Sequence, residues 1–399
     1  MKRLTRRATL ATALATALAM PAAFAFQAEG TVRIGLLEAQ TGTFAPYGLP
    51  AMWGSQIAID EINAAGGVTI DGRKVRIAVT PAPNGYDAGS DPAQNILLVK
   101  RAQTEDRVLM VKGLSASNAG VAVFNYLNEL AKENNPILVH SSSVGAPGLS
   151  EISPWGFRNT FSEVDIVDDV ARAVQKATGA KTAGFIITKD NPYFPSIADK
   201  AIIPALGQLG IEVKVKAEAL TNDRDFTRQV DELRRANVDI VYVLANTLPA
   251  INFMKEAKRR GLRAKAFIGG ISQLTPDTLK SGDGVMEGII MAGSYDPASA
   301  AIKRFEAEFR KRHNQDISLF AVNGHEAMYL IKEALERSGI KNTPESLADD
   351  RRKIRDAFAT AAITSITGER IAFNKNRETP KKGVILTIKN NQFVAWDGK

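Results

Sequence analysis

Three histidines, 43 carboxylates and no cysteine are the groups from which any chemistry of this 399-residue chain must be built. Without cysteine there is no thiolate to hold a metal, no redox centre and no disulfide framework. His313 stands in the charged run RKRHNQD and reads as solvated surface, His325 falls on a helical segment, and His140 ends a strand-like run. None has a partner at metal-ligand spacing, so neither a metal nor another cofactor is expected. His140 is followed by Ser141-Ser142-Ser143, but successive residues of an extended chain point to opposite faces, and no G-x-S-x-G elbow exists to raise a serine hydrolase. Where a dinucleotide fingerprint would follow the first strand, GLLEAQTGTFAPYG stands instead, and no G-x-x-x-x-G-K-[ST] loop occurs. Nucleotide binding loses its main support, and no enzyme is expected.

Hydroxyl, amide and aromatic side chains recur at the ends of strand-like runs: Thr41, Thr43, Phe44 and Tyr47; Ser115, Ser117 and Asn118; Ser141, Ser142 and Ser143; Asn191 and Tyr193; Asn246 and Thr247; Ser272. Any one of these polar residues is a ready helix cap. Six such groups coincide with the crevice beyond the carboxyl ends of strands, where open α/β sheets bind ligands, and helix N-termini there suit a carboxylate. Tyr47 and Tyr193 stand in polar, proline-containing turns rather than on apolar faces, which favours contact with a ligand over burial in a core. For Trp53 and Phe320 the two readings are even.

The elements that must position these residues alternate regularly. Strand-like runs at 32–37, 74–79, 108–113 and 137–140 are separated by helical segments at 51–65, 92–103 and 119–134. In the first helix Ala51, Ser55, Ile59 and Ile62 share a face, and Gly66-Gly67 ends it. Beyond FRNT at 157–160 the pattern resumes: a helix at 164–177, TAGFIIT, a helix at 196–209, EVKVKAEAL, a helix at 226–235, IVYVLA, a helix ending at Gly261, and KAFIGG. Helices at 298–313, 320–338 and 345–361 precede a strand-like end, RIAFN, GVILTIK and QFVAW. Such alternation predicts parallel sheets buried on both faces, with right-handed crossovers, hence two doubly wound α/β lobes. No low-complexity linker separates them, which favours lobes interwoven by several crossings.

Length alone points to two lobes. Lys2, Arg3, Arg6 and Arg7 precede an Ala/Leu/Thr run, and Ala23-Phe24-Ala25 has the form of a cleavage site, so residues 1–25 read as an export signal cleaved after Ala25, with a periplasmic mature chain. Removing the signal leaves 47 basic against 43 acidic residues, a mild and scattered excess of four. No basic cluster is interleaved with aromatics, so a nucleic-acid partner is not expected.

VRIGLLEAQTGTFAPYG, IAIDEINAAGGVTIDGRKVRI, KGLSASNAG, PILVHSSSVGAPGLS, FRNTFSEVD, DRDFTRQVDELRRANVDIVYV, KEAKRRGL and GHEAMYLIKEAL, in this order, resemble the leucine/isoleucine/valine-type periplasmic solute-binding proteins of bacterial ABC importers, of the type I periplasmic binding fold. The resemblance covers the chain from about Val32 to its end. It implies two Rossmann-like lobes joined by three crossings, near Arg158–Ser162, Ala292–Tyr295 and Thr364–Gly368. Lobe 1 would comprise residues 26–160 and 293–365, and lobe 2 residues 161–292 and 366–399. It also implies a monomer that closes on one small molecule and delivers it to an inner-membrane permease, or, on the same fold, a sensor serving a chemoreceptor or kinase.

In such proteins lobe 1 holds the ligand carboxylate at positions matched here by Ser115, Ala116 and Ser117 and by the turn Ser141, Ser142, Ser143 to Gly145. Tyr47 and Phe320 match residues that shape the side-chain pocket, while Tyr193, Asn246, Thr247 and Ser272 match lobe 2 contacts. Amino-acid binders of the family place a carboxylate after the strand matched by KAFIGG, to pair with the ligand ammonium. Here FIGGISQLTPD puts Ile271 and Ser272 at that place, with Glu38 or Asp190 as the acids available to stand in. A second departure is TPAPNGYD, residues 80–87, where relatives carry acids. A buried ammonium without a counter-charge costs several kcal/mol. A branched-chain or other hydrophobic amino acid is the ligand the family implies, and an amine-free aromatic or aliphatic carboxylate is its rival.

Overall fold

The computed structural model describes residues 30–398, so the expected export signal lies outside the described residues. The first sheet contains β1 (Thr31–Glu38), β2 (Val68–Ile70), β3 (Arg73–Thr80), β4 (Tyr86–Asp87), β5 (Met110–Gly113), β6 (Val139–Ser141) and β7 (Gly156–Arg158). Their order is β2-β3-β1-β5-β6-β7, with β4 also on β1, and all pairs are parallel except the β2–β3 hairpin. The chain then lays down β8 (Thr182–Thr188), β9 (Glu212–Ala219), β10 (Ile240–Leu244), β11 (Ala266–Ile268) and β12 (Ile290–Gly293). A two-stranded ribbon, β13 (Ala362–Thr364) with β14 (Arg370–Ala372), precedes β15 (Val384–Lys389) and β16 (Gln392–Ala395). The second sheet reads β16-β15-β12-β11-β10-β8-β9. Every residue of β5 and β10 is buried, as helices on both faces of a parallel sheet require.

The chain passes between the sheets three times. After β12 it returns to the first sheet, where Met328, Ile331, Ile354 and Phe358 share a core with Val32, Ile34 and Val111, and it then goes back to add β15 and β16 to the second. Two ion pairs, one of them fully buried, tie the passages together. Arg158 at the end of β7 is 1 % exposed and meets Glu378 at 2.6 Å, while the Arg158 backbone bonds Arg377 and Thr379. Lys381 pairs with buried Glu326, which also accepts from Ser365, and donates to Asn323 at 2.6 Å.

The helix expected from Ala51 begins six residues earlier, spanning Ala45–Ala64 after a short 3-10 turn at Gly42–Phe44. Pro46 in its first turn lacks an N–H that no intrahelical acceptor would have met, so TGTFAPYG is a helix entrance rather than a free turn. This helix crosses Leu319–Arg337 so closely that a Cβ on Gly54 would lie 2.0 Å from the Ala321 carbonyl oxygen, and one on Gly324 would lie 2.1 Å from that of Ala51. Strands β7 and β12 were not expected, because runs of three or four residues such as GFR and IMAG carry no period to detect.

Candidate functional site

A doubly wound sheet opens a crevice at the carboxyl ends of two adjacent strands whose connections leave in opposite directions. In the first sheet these are β1 and β5, flanked by β3 and β6; in the second they are β8 and β10, flanked by β9 and β11. The segments leaving these strands, with those after β6 and β11 and the start of the helix Leu319–Arg337, close around a narrow cleft lined by Phe44, Tyr47, Ser115, Ser117, Ser143, Gly145, Asn191, Tyr193, Asn246, Ile271, Ser272 and Phe320.

Eight of the residues expected to contact a ligand therefore stand around one space. Ala116, Ser141, Ser142 and Thr247 do not line it. Ala116 packs in the apolar cluster of Ala39, Phe44, Tyr47, Ala51, Ala119 and Phe320. The Ser141 hydroxyl donates to the Leu114 carbonyl at 3.4 Å and accepts from Val144 N–H at 3.2 Å, shaping the turn that carries Ser143. Ser142 is buried, and its carbonyl accepts from Asn323 Nδ2. Thr247 donates its N–H to Tyr47 Oη at 3.0 Å and its hydroxyl to the Ser272 carbonyl at 2.6 Å, so it supports two lining residues from behind. Phe44, Asn191 and Ile271 line the cleft although no contact was expected of them; the first two belong to the strand-end groups that signalled the crevice.

The Tyr47–Thr247 bond joins the two sides of the cleft. Burial pushes the Tyr47 phenol up to about 12, so it keeps its proton. Its ring lies 5.7 Å from Phe44 and 5.1 Å from Phe320 between centroids, an aromatic wall contributed from the first lobe. Tyr193 faces it from the other side, where a Cβ on Gly145 would lie 3.0 Å from its ring.

Polar capacity in the cleft is unspent. Among the described residues, Ser143 Oγ, Tyr193 Oη and Asn246 Nδ2 are buried with no hydrogen-bond partner. The helices Ser117–Lys132 and Thr247–Arg259 both begin here, and neither N-cap residue caps its helix, so both N-termini direct a partial positive field at the cleft, the Thr247 N–H being taken by Tyr47. No lining residue carries a charge. The site is thus suited to an anion held by hydrogen bonds, beside an apolar surface.

Neither acid offered as a substitute counter-charge reaches the cleft. Glu38 is fully buried behind Ser115 and paired with Lys112, and Asp190 accepts from the Thr221 N–H and hydroxyl outside. A third acid, Glu163, stands beside the lining residue Ile271: it accepts the N–H of Ile271 at 3.0 Å, and burial raises it to about 8. It holds the β11 loop rather than facing the space. The histidines are all elsewhere. His140 packs against Phe358 and Phe373, and burial with Lys112 and Lys381 nearby keeps it neutral. His325 bonds Glu61 at 2.8 Å. His313, expected as solvated surface, stacks instead on Trp53 at 4.7 Å, which also places Trp53 outside the cleft.

Residues 31–392 match the family model described as Periplasmic binding protein. The leucine-, isoleucine-, valine-, threonine-, and alanine-binding protein of Pseudomonas aeruginosa is 26% identical over 343 residues, 84% of this chain and 85% of that one. The isoleucine complex of the branched-chain amino acid substrate-binding protein LivJ from Streptococcus pneumoniae superposes with a TM-score of 0.77 at 22% identity, covering 92% of this chain and 98% of the other. A solute-binding protein from R. palustris in complex with 4-hydroxybenzoate gives 0.76 at 19% identity, covering 92% and 95%. These structures share the fold: two α/β lobes joined by three crossings.

Proposed function

Since the chain belongs to the periplasmic binding protein family, we propose that it is the solute-binding component of an ABC importer of the branched-chain amino-acid type, capturing a small carboxylate between its lobes and passing it unchanged to an inner-membrane permease. The observation that carries this reading is a cleft between the lobes lined by hydroxyls, two amides and aromatic rings, with two helix N-termini lacking a side-chain cap and no charged side chain. The two lobes close about the three crossings, the last of which lies beyond the expected 364–368, because β14 pairs with β13 and its Ile371 packs in the first lobe's core. Contacts such as Tyr47 to Thr247 exist only when closed, so a guest that touches both walls shifts the population toward the form the permease recognises. The protein works as a monomer in the periplasm after loss of its signal.

The same absence of charge favours an amine-free aromatic carboxylate over an amino acid: an ammonium here would have no counter-ion, whereas a carboxylate meets two helix N-termini and a ring meets Phe44, Tyr47, Tyr193 and Phe320. Proteins sharing this fold include complexes with isoleucine and with 4-hydroxybenzoate. Thermal-shift measurements with leucine, isoleucine, benzoate and aliphatic acids test this. A ligand at 100 times its Kd adds about 2.7 kcal/mol to stability, an easily read rise in melting temperature. Benzoates are expected to raise it and leucine to leave it unchanged; the reverse result rejects the amine-free assignment, and no response to any acid rejects the carboxylate site.

A further inference from the structure

Resting on the reading that the cleft takes a small acid, we propose that the buried pair Glu38–Lys112, itself outside the cleft, fixes Ser115 as a hydrogen-bond acceptor toward the guest. The guest then presents an O–H or N–H at Ser115 and sets its carboxylate elsewhere.

The pair sits where β1 and β5 end side by side. Glu38 and Lys112 are both 0 % exposed, and Lys112 Nζ lies 2.5 Å from Glu38 Oε1. The second carboxylate oxygen, Oε2, accepts the Ser115 hydroxyl at 2.8 Å. Lys112 meets only acceptors, Glu38 and the Ala51 carbonyl at 3.4 Å, and Glu38 meets only donors. Burial drives both groups toward neutrality, the carboxyl up and the ammonium down, but every neighbour fits the ionised form: a carboxylate with donors on both oxygens is held charged. An ionised carboxylate only accepts, so the proton in the Ser115–Glu38 bond belongs to Ser115.

A serine hydroxyl has one hydrogen and two lone pairs. The hydrogen of Ser115 is spent on Glu38, and the Ala39 N–H takes one lone pair at 3.0 Å. One acceptor site remains, on a residue that lines the cleft. Turning the hydrogen toward a guest would strip a buried carboxylate of a charge-assisted bond, the stronger kind. A guest carboxylate at Ser115 would set two acceptors against each other with Glu38 directly behind. Donors for that carboxylate stand free at Ser143 Oγ, Tyr193 Oη and Asn246 Nδ2. A hydroxylated acid is therefore the guest class the cleft selects, and the lone pair on Ser115 is what distinguishes it from the plain acid.

Glu38→Gln reverses the polarity. Its amide oxygen can stay on Lys112 while its NH₂ turns to Ser115, freeing the serine hydrogen for the cleft. Calorimetry on the mature protein would compare 3- and 4-hydroxybenzoate with the matching fluorobenzoates, and leucine with 4-methylpentanoate. The wild type is expected to favour the donor-bearing member of one pair by about three- to tenfold, the range for one neutral hydrogen bond. Glu38→Gln should abolish or invert that ratio, and Ser115→Ala, which leaves the Glu38–Lys112 pair intact, should bring it to about one. If Glu38→Gln fails to fold, Ser115→Ala decides alone. A wild-type ratio near one in every pair, or a ratio that survives the variants, overturns the proposal. If the leucine pair carries the preference and loses it in the variants, the polarity of Ser115 stands and the amine-free assignment falls. If no probe binds, the carboxylate reading fails and this proposal with it.

Discussion

Tyr47→Phe tests closure by removing one oxygen. In the closed form Tyr47 Oη accepts the Thr247 N–H at 3.0 Å across the cleft, with both residues buried. Thr247 opens the helix Thr247–Arg259, which has no side-chain cap, so its N–H has no helical acceptor to fall back on. Phenylalanine keeps the ring against Phe44 and Phe320 and leaves that N–H buried without a partner whenever the lobes shut, a cost of about 1–3 kcal/mol. In the open form water satisfies it, so the loss falls on closure alone. At 1.4 kcal/mol per tenfold, ligand affinity should weaken between about fivefold and roughly a hundredfold, while the melting temperature of the ligand-free protein changes little. Calorimetric titration with the best ligand from the thermal screen, paired with small-angle scattering with and without it, reads both quantities. An affinity within twofold of wild type, with compaction undiminished, would refute the view that this bond reports closure.

Glu163→Gln should flatten the fall in stability between about pH 4.3 and pH 8. With its folded value raised to about 8 by burial, Glu163 binds a proton in the folded chain that the unfolded chain has released, so its contribution is full below about pH 4.3 and is lost as pH rises through about 8. Melting temperatures from pH 5 to 9 would show the wild type declining more steeply than the variant, and parallel curves would reject the assignment. Gly324→Ala forces a Cβ to within 2.1 Å of the Ala51 carbonyl oxygen, so the Ala45–Ala64 and Leu319–Arg337 helices must separate. A loss of about 2 kcal/mol or more in denaturant unfolding is expected, and an unchanged midpoint would show that the helices yield freely. Lys381→Met strands the buried Glu326 carboxylate, at about 3–5 kcal/mol. The double variant with Glu326→Leu should recover much of that loss in the same unfolding experiment, and no recovery would contradict the pairing.

Alternation made the architecture legible. Runs such as TAGFIIT and IVYVLA are apolar on both faces because helices cover both sides of a parallel strand, and β8 and β10 fall where they predict. The site was legible in part for the same reason: hydroxyls and aromatics after β1, β5, β8 and β10 mark strand ends, and strand ends at a switch point make the crevice. Composition was a poorer guide to which of two neighbours faces the space. Ser143 and Ser142 are the same residue type one position apart, yet only Ser143 lines the cleft, because the side chain's direction is set by the turn that Ser141 holds.

What the sequence by itself determined is a family, a doubly wound two-lobed fold, no cysteine or metal-spaced histidine to carry chemistry, and the six segments from which a cleft is built. All of these follow from local pattern and composition, which the chain carries at every point. Only the tertiary structure decided the charge of the site. Glu38 lies one strand end away from the cleft in sequence logic, but Lys112, 74 residues on, takes its carboxylate and leaves the space to hydroxyls, amides and rings. A charge is neutralised by whatever folding brings within a few ångströms, and no local reading of a chain reports that distance.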